Sequence, residues 1–290
     1  MSKIEVDEFS GTKTTGHNWG GIKELDTPMP RWWLICFWIG VIWAIAYMAV
    51  YLFYPMITGT TKGYFGYSSS RAEFAQTMVE VEKSQEKFLT KIKNLSLEEI
   101  RNDKELSEFA YAGGKSAFAI NCSQCHGSGA AGAPGYPNLN DDNWLWGGSL
   151  EEISTIITHG IRFDQDDDTR VSEMPAFGRD KLLDRKQIDQ VADYVLSLSN
   201  REHNVENAKL GLAVYEENCA ACHGAKGEGD REQGAPQLNN VLWLYGNKKS
   251  DIIRQVTSPR HGVMPAWGGR LDGATIKQLT IYVHALGGGE

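Results

Sequence analysis

A short motif, Cys-x-x-Cys-His, occurs twice in this chain, at Cys122–His126 and at Cys219–His223. Each copy has the same place in an internal repeat, so the chain uses one structural unit twice. The matching segments are Gly114–Phe118 with Gly211–Tyr215, Trp144–Gly147 with Trp243–Gly246, and Met174–Gly178 with Met264–Gly268.

Two cysteines separated by two residues and followed by histidine suit covalent haem for a geometric reason. The thiols form thioethers with the two vinyl groups, and the adjacent histidine then lies beneath the iron. A zinc site or a redox dithiol is the alternative for a Cys-x-x-Cys pair, but zinc needs further ligands in the same half, where histidines are isolated. We therefore expect two haem c groups, attached through Cys122 and Cys125 and through Cys219 and Cys222, with His126 and His223 as iron ligands.

The sixth iron ligand has to come from a segment downstream of each motif. Met174 and Met264 are the candidates, because each is the single methionine after the motif in its half and each precedes a proline that stiffens its loop. Core methionines are one alternative. His159 and His261 are another, and they would give bis-histidine haems of lower potential.

Other side chains are candidates for contact with the haem propionates. The repeated aromatic pairs could donate hydrogen bonds or pack on the haem edge; they are Trp144 and Trp146, and Trp243 and Tyr245. Arg162 and Arg260 could pair with a carboxylate, with an exposed arginine as the default. The acidic segment Asp164–Asp168 could steer a basic partner or hold a cation, against a solvated loop.

An uncharged apolar run from Trp32 to Tyr54 follows a polar leader, residues 1–30. It is long enough to cross a bilayer core of about 30 Å as one helix. The run is too long for a signal-peptide core and lacks a small-residue exit, so we expect a retained anchor over residues 31–55. Basic residues are more frequent before it than after it, which favours a cytoplasmic N-terminus.

The rest of the chain divides into a linker region and two repeated domains. Residues 56–108 combine a Gly/Ser/Tyr linker, residues 64–70, with amphipathic helices whose apolar stripe runs through Phe74, Phe88 and Ile92. Two repeated domains follow, at residues 109–200 and 203–290, and we expect the leader not to form a core by itself. A net charge of −8 argues against nucleic acid and suits a basic protein partner.

The repeats resemble class I cytochrome c domains: a helix leading into the motif, a loop with Met-Pro and a closing helix. The resemblance implies a mainly α fold, one N-terminal transmembrane helix followed by two tandem class I cytochrome c domains. The leader Gly16–Leu25, then Pro28–Trp33, one anchor and two haem domains are together similar to the CcoP subunits of cbb3-type cytochrome c oxidases. The chain departs from them at Gly20, where an acidic residue is more usual.

This resemblance implies an electron-transfer subunit with no catalytic residue of its own, in a proton-pumping oxidase of a bacterial inner membrane. The haem domains would be periplasmic. A soluble cytochrome c or copper protein would donate electrons, which pass through a monohaem subunit to the haem–copper subunit that reduces O2. His126 would share one iron with Met174, and His223 the other with Met264, while the leader and anchor pack on the catalytic subunit.

Three rival functions are open at this point. A dihaem subunit of a quinol–cytochrome c reductase would usually carry its anchor at the C-terminus. A haem-based sensor would need an open axial position on the iron, and a dihaem peroxidase would need one exchangeable haem; two Met-Pro segments argue against both.

Overall fold

The computed structural model describes residues 3–51, 55–57, 59–60, 64 and 70–287. It forms two compact units, Met1–Ser84 and Gln85–Glu290. The described residues of the first unit include β1 Thr14–Trp19, β2 Ile22–Leu25, α1 Arg31–Val50, β3 Pro55–Met56 and β4 Gly59–Thr60. Helix α2, Ser70–Asn94, spans the boundary between the units.

The second unit is helical. Its elements in chain order are α3 Leu97–Asn102, α4 Lys104–Asn121, α5 Ser123–His126, α6 Leu150–His159, α7 Arg185–Leu198, α8 Val205–Asn218, α9 Ala220–His223, α10 Lys249–Thr257 and α11 Gly273–His284. The expectation of a mainly α protein is confirmed.

The leader forms a β-hairpin that its composition did not predict. Strands β1 and β2 pair antiparallel with Trp19 opposite Ile22, so Gly20 and Gly21 make a two-residue turn. Both glycines have positive φ, 59° and 99°, which a tight hairpin turn requires and other residues rarely adopt. The Trp19 indole N–H donates to Glu24 across the hairpin at 3.0 Å. The leader is therefore ordered by turn chemistry and cross-strand bonds.

Helix α1 corresponds to the expected anchor. Among the described residues it is the one helix long and apolar enough to cross a membrane. It is apolar on every side, and each of its residues is at least partly exposed, as suits a helix whose solvent is lipid. Residues 52–54, at the end of the predicted anchor, lie outside the described residues, as do all of the predicted linker 64–70 except its two end residues.

Helices α2 and α3 lie where amphipathic helices were expected. Ile92 is fully buried and Phe88 stacks on Phe109 with ring centroids 4.7 Å apart. Lys277 of α11 donates to the carbonyls of Ile92, Lys93 and Leu95 at 2.6–3.1 Å, so it caps the end of α2. These contacts bind the end of α2 to the helical unit.

The helices of the two repeats pack in exchanged pairs. Helix α11, which closes the second repeat, packs against α4 and α6 of the first repeat. Helix α7, which closes the first repeat, packs against α8 and α10 of the second. We call α4–α6 with α11 the first module and α7–α10 the second module.

A glycine permits the close crossing in each module. A Cβ on Gly114 of α4 would lie 2.1 Å from the Gln278 carbonyl oxygen of α11, and one on Gly211 of α8 would lie 2.2 Å from that of Gln190 on α7. Gly114 and Gly211 are matching residues of the repeat. The same contact therefore recurs, with each closing helix on the other repeat's first helix.

Candidate haem-binding sites

The first motif lies at the end of α4. Phe118 is buried at the last turn, Cys122 caps the helix, and the single turn of α5 brings Cys125 and His126 to the same side as Cys122. The His126 Nδ1 lies 3.1 Å from the Pro137 carbonyl oxygen. A carbonyl can only accept, so Nδ1 carries the proton and donates, which leaves Nε2 as the free nitrogen that a metal needs.

The second motif repeats this arrangement at the end of α8. Tyr215 is fully buried in the last turn, and its hydroxyl donates to the Gly224 carbonyl at 2.7 Å. The His223 Nδ1 lies 3.0 Å from the Pro236 carbonyl oxygen. Both imidazoles are thus oriented by a backbone carbonyl of the following loop.

Burial adjusts the protonation of both sites. It lowers the pKa of His126 and of His223, which outweighs the opposing effect of the Pro137 and Pro236 carbonyls and favours the neutral imidazole. Burial also raises the pKa of Cys122 and of Cys219 to about 11, so both thiols are protonated in the haem-free chain at neutral pH.

Met174 lies in the second module with the second motif. One cavity is lined by Cys219, Cys222, His223 and Met174. Met174 also packs against the buried cluster that contains Val191, Tyr215, Cys219 and Ile252. Met174 therefore lines the cavity of the second motif, whereas the family resemblance implied a pairing with His126.

Met264 lies in the first module. It packs with Cys122 and Trp144 against the buried cluster that contains Phe118, Ile153 and Ile157. Met264 thus packs near the first motif, whereas the family resemblance implied a pairing with His223. In both repeats the Met-Pro segment packs, with the closing helix of its repeat, in the module that contains the other repeat's motif.

Backbone bonds fix the exchanged Met-Pro segments. Trp267 N–H donates to the Ile157 carbonyl at 3.0 Å and Gly268 N–H to Thr158 at 2.9 Å, so the Met264 segment lies along the end of α6. Arg179 N–H donates to the Thr257 carbonyl at 2.9 Å, so the Met174 segment lies along the end of α10.

Two arginines at matching positions of the repeat contact the repeated aromatic residues; the sequence analysis named Arg260 but missed Arg170. Arg170 donates to the Trp146 carbonyl at 2.9 Å and lies over its ring, and Arg260 donates to the Tyr245 carbonyl at 3.1 Å and lies over that ring. Each arginine stands four residues before a methionine of the repeat. This shared spacing is a sequence signal that Arg170 and Arg260 occupy matching positions of the repeat. Arg162 is therefore not the counterpart of Arg260.

The remaining candidates have other partners. His159 pairs with Asp166 at 3.1 Å, within the acidic segment. His261 lines the same cavity as His223, but its Nε2 accepts the Met174 N–H at 3.1 Å. The Trp243 indole N–H donates to the Asn240 carbonyl at 3.2 Å.

Arg162 and Tyr245 meet at Gly262. The Arg162 side chain donates to the Gly262 carbonyl, and the Tyr245 hydroxyl accepts the Gly262 N–H at 3.0 Å. Arg162 is half-buried, against the exposed default expected for it.

The donor set in each module fits covalent haem. Two thiols and an imidazole with a free Nε2 come from the motif, and a thioether comes from the exchanged segment. Such sites on a helical fold define a c-type cytochrome.

Comparison with known proteins gives the family. The family model for the N-terminal domain of cytochrome oxidase-cbb3, FixP, matches residues 11–58, and that for cytochrome c oxidase, cbb3-type, subunit III matches residues 109–195 and 206–283. The chain is 52% identical to the cbb3-type cytochrome c oxidase subunit FixPc of Rhizobium leguminosarum bv. viciae over 100% of both chains. It is 48% identical to subunit CcoP of Azospirillum brasilense, again over 100% of both.

The chain belongs to the FixP/CcoP family, subunit III of cbb3-type cytochrome c oxidases. It is thus a haem c subunit of a respiratory oxidase complex, and α1, the one candidate span among the described residues, fits a single-pass membrane protein of that complex. The reductase and sensor alternatives are not favoured.

Proposed function

We propose that the chain binds two haem c groups with crossed axial ligands. Cys122 and Cys125 hold one haem, whose iron is ligated by His126 and Met264. Cys219 and Cys222 hold the other, ligated by His223 and Met174. The observation that carries this proposal is the placement of each methionine in the module of the other repeat's motif.

In each proposed site the chain would supply two iron ligands, one histidine and one methionine. When bound, haem supplies one-electron chemistry. His126 and His223 are held by carbonyls, Met174 and Met264 by backbone bonds from their segments to the opposite repeat, and a buried apolar cluster packs beside each methionine. Sites of this kind exchange electrons without binding a substrate, and thioether ligation favours the ferrous state.

We propose that these haems accept electrons from a soluble periplasmic cytochrome c or copper protein. Electrons then pass to the monohaem subunit and the haem–copper subunit of the oxidase, which reduces O2 to water. Cys125 and Cys222 are exposed, which supports access to each haem edge by a partner. The net charge of −8 suits a basic donor.

The proposed orientation has the N-terminus in the cytoplasm and the haem modules in the periplasm of a bacterial inner membrane. Lys3, Lys13, Lys23 and Arg31 precede the span, which supports it through the positive-inside rule. Protease added to intact spheroplasts should cleave the haem modules and spare the leader; cleavage of the leader alone would reverse the orientation.

Single-haem variants test the crossed ligands. In Cys219→Ala/Cys222→Ala, which keeps the first haem, Met264→Leu should abolish the near-infrared methionine–iron band and Met174→Leu should leave it. In Cys122→Ala/Cys125→Ala the two methionines should exchange roles. Dependence of each haem on the methionine of its own repeat would contradict the proposal, and a pyridine haemochrome of the unmodified chain should report two haems.

Electron flow through the complex tests the function. O2 consumption by the purified oxidase with a reduced soluble cytochrome c should be lost when either pair of cysteines is replaced. Turnover with a small reductant that reaches the other subunits should persist in the same preparations. Full activity with the protein donor would show that the electrons bypass this chain.

A further inference from the structure

Arg162 contacts both Met-bearing segments. Its Nε donates to the Gly262 carbonyl at 2.7 Å and its Nη1 to the Ser172 carbonyl at 3.0 Å. Each acceptor stands two residues before a methionine, Met264 in one case and Met174 in the other. The planar guanidinium fork therefore joins the segments that complete the two sites.

The backbone at Arg162 is braced at the same point. Arg162 has a φ of +52°, in the left-handed region that residues with a side chain seldom adopt. Its N–H donates to the Arg170 carbonyl at 2.9 Å, and the preceding Ile161 exchanges two hydrogen bonds with Met264, at 2.9 and 3.0 Å. An uncommon conformation held by several bonds indicates that the direction of this side chain is fixed.

The charge of Arg162 faces the second site. Its side chain lines the cavity that also contains His223 and Met174. Burial lowers the pKa of Arg162, although nearby Tyr245 and Glu173 oppose this, and an arginine remains charged at neutral pH. A fixed positive charge near an iron that gains an electron stabilises the reduced form and raises its potential.

The second repeat lacks an equivalent of this residue. Residues 160–173 connect α6 to Met174, whereas the shorter segment 258–263 connects α10 to Met264. Arg260 in the shorter segment matches Arg170, so Arg162 belongs to the additional length of the first connection. The positive charge of Arg162 therefore lies in the first connection and has no counterpart in the second.

We propose that Arg162 is a positioning residue that holds Met174 and Met264 in place together and raises the reduction potential of the haem attached at Cys219 and Cys222. The proposal rests on the crossed ligation proposed above. It makes the two haem sites mechanically dependent on one side chain.

Arg162→Gln in the full chain is the main test, with Arg179→Gln as the matched control. Arg179 is also an arginine of the Met174 segment, but it is exposed and its side chain pairs with Asp180. Arg162→Gln should weaken both methionine–iron bands and lower the potential of the second haem in a redox titration. The amides of Met174 and Met264 should exchange hydrogen about tenfold faster, as when one hydrogen bond is lost. Arg179→Gln should change none of these.

Arg162→Lys separates charge from geometry. Lysine keeps the charge but replaces the planar fork with a single ammonium, so the potential should stay near that of the wild type while amide exchange rises at both methionines. Wild-type bands, potentials and exchange rates in Arg162→Gln would overturn the proposal. If that variant fails to retain haem, wild-type exchange in Arg162→Lys would overturn it instead.

The single-haem variants keep the two proposals apart. If Met264 and Met174 prove to ligate the haems of their own repeats in the wild type, the crossed ligation fails. If the crossed bands are present and Arg162→Gln leaves them unchanged, only the role of Arg162 fails.

Discussion

The two helical modules contain the same parts but differ in how the chain builds them. The second module, from the Met174 segment through α10, is one continuous stretch of chain. The first module combines α4–α6, which precede that stretch in the chain, with the Met264 segment and α11, which follow it. The second module is thus inserted in the chain of the first. Each folded module therefore contains helices from both sequence repeats.

The largest expected effect comes from removing the end of the chain. A stop after Gly262 deletes the Met264 segment and α11, so the first haem should lose its methionine band completely and bind carbon monoxide when reduced. The second haem should keep its band, because its module is intact. A stop after Gly287 is the control, and loss of the second haem's band in the longer deletion would refute the insertion.

Gly114→Ala and Gly211→Ala should each weaken a different module. The added methyl would meet the Gln278 or Gln190 carbonyl at about 2 Å, and we expect a cost of about 3 kcal/mol from overpacking. Denaturation followed at the methionine bands should show the first haem affected by Gly114→Ala and the second by Gly211→Ala. Gly129→Ala, where a Cβ meets nothing within 4 Å, should leave both unchanged.

Asp193 gives the second module an ionic anchor where the first module has Ile281. Burial would raise the pKa of Asp193, but hydrogen bonds from Lys249, Asn207 and the Asn204 N–H outweigh it and lower the pKa below 3.8. Asp193→Asn should lower the free energy of unfolding by about 2 kcal/mol, because a buried ion pair is lost. The loss is limited because Lys249 retains its ion pair with Asp189 at 2.7 Å.

The same anchor predicts a pH dependence. A lowered folded-state pKa means that the stabilisation is present above the ordinary aspartate pKa and is lost as the pH falls through the folded pKa. The difference in unfolding free energy between wild type and Asp193→Asn should therefore be constant near neutrality and shrink below about pH 4. A difference that persists undiminished at lower pH would mean that the carboxylate charge is not the cause.

The smallest effects concern the starts of α6 and α10. Ser149 accepts the Glu152 N–H at 3.3 Å in a capping box, so Ser149→Ala should destabilise the first module by about 1 kcal/mol. Helix α10 instead has Lys248 as its N-cap residue, and an ammonium group cannot accept a hydrogen bond. Lys248→Ser should therefore stabilise the second module by about 0.5 kcal/mol. Chemical denaturation measures both, and equal signs for the two changes would contradict this comparison.

The parts of each site could be predicted from sequence, because the motif geometry and Met-Pro segments are local. The partner of each methionine could not. Gly114 and Gly211 permit the same crossing, and Gln190 and Gln278 offer the same surface, so either pairing buries equivalent residues. The short connection between α7 and α8 favours packing of those two helices on each other, a preference that the repeat pattern conceals.

Two other features had a sequence signal that the sequence analysis did not use. Gly20 and Gly21 between Trp19 and Ile22 are a hairpin-turn signal, overlooked because the leader is polar. Arg170 and Arg260 share a spacing to methionine that alignment of the repeats from Met174 and Met264 would have revealed. Arg162 was a candidate for a haem carboxylate, but its contact with both Met-bearing segments has no sequence signal, because the partners are backbone carbonyls.

The order in which the chain emerges from the ribosome gives the insertion a consequence in time. The first motif is made before the second module, but the methionine proposed to close its site is made after that whole module. The second site has its methionine before its cysteines exist. The proposed site of the first haem therefore stays incomplete until the whole second module has been made, while that of the second is complete once its motif and α10 have been made.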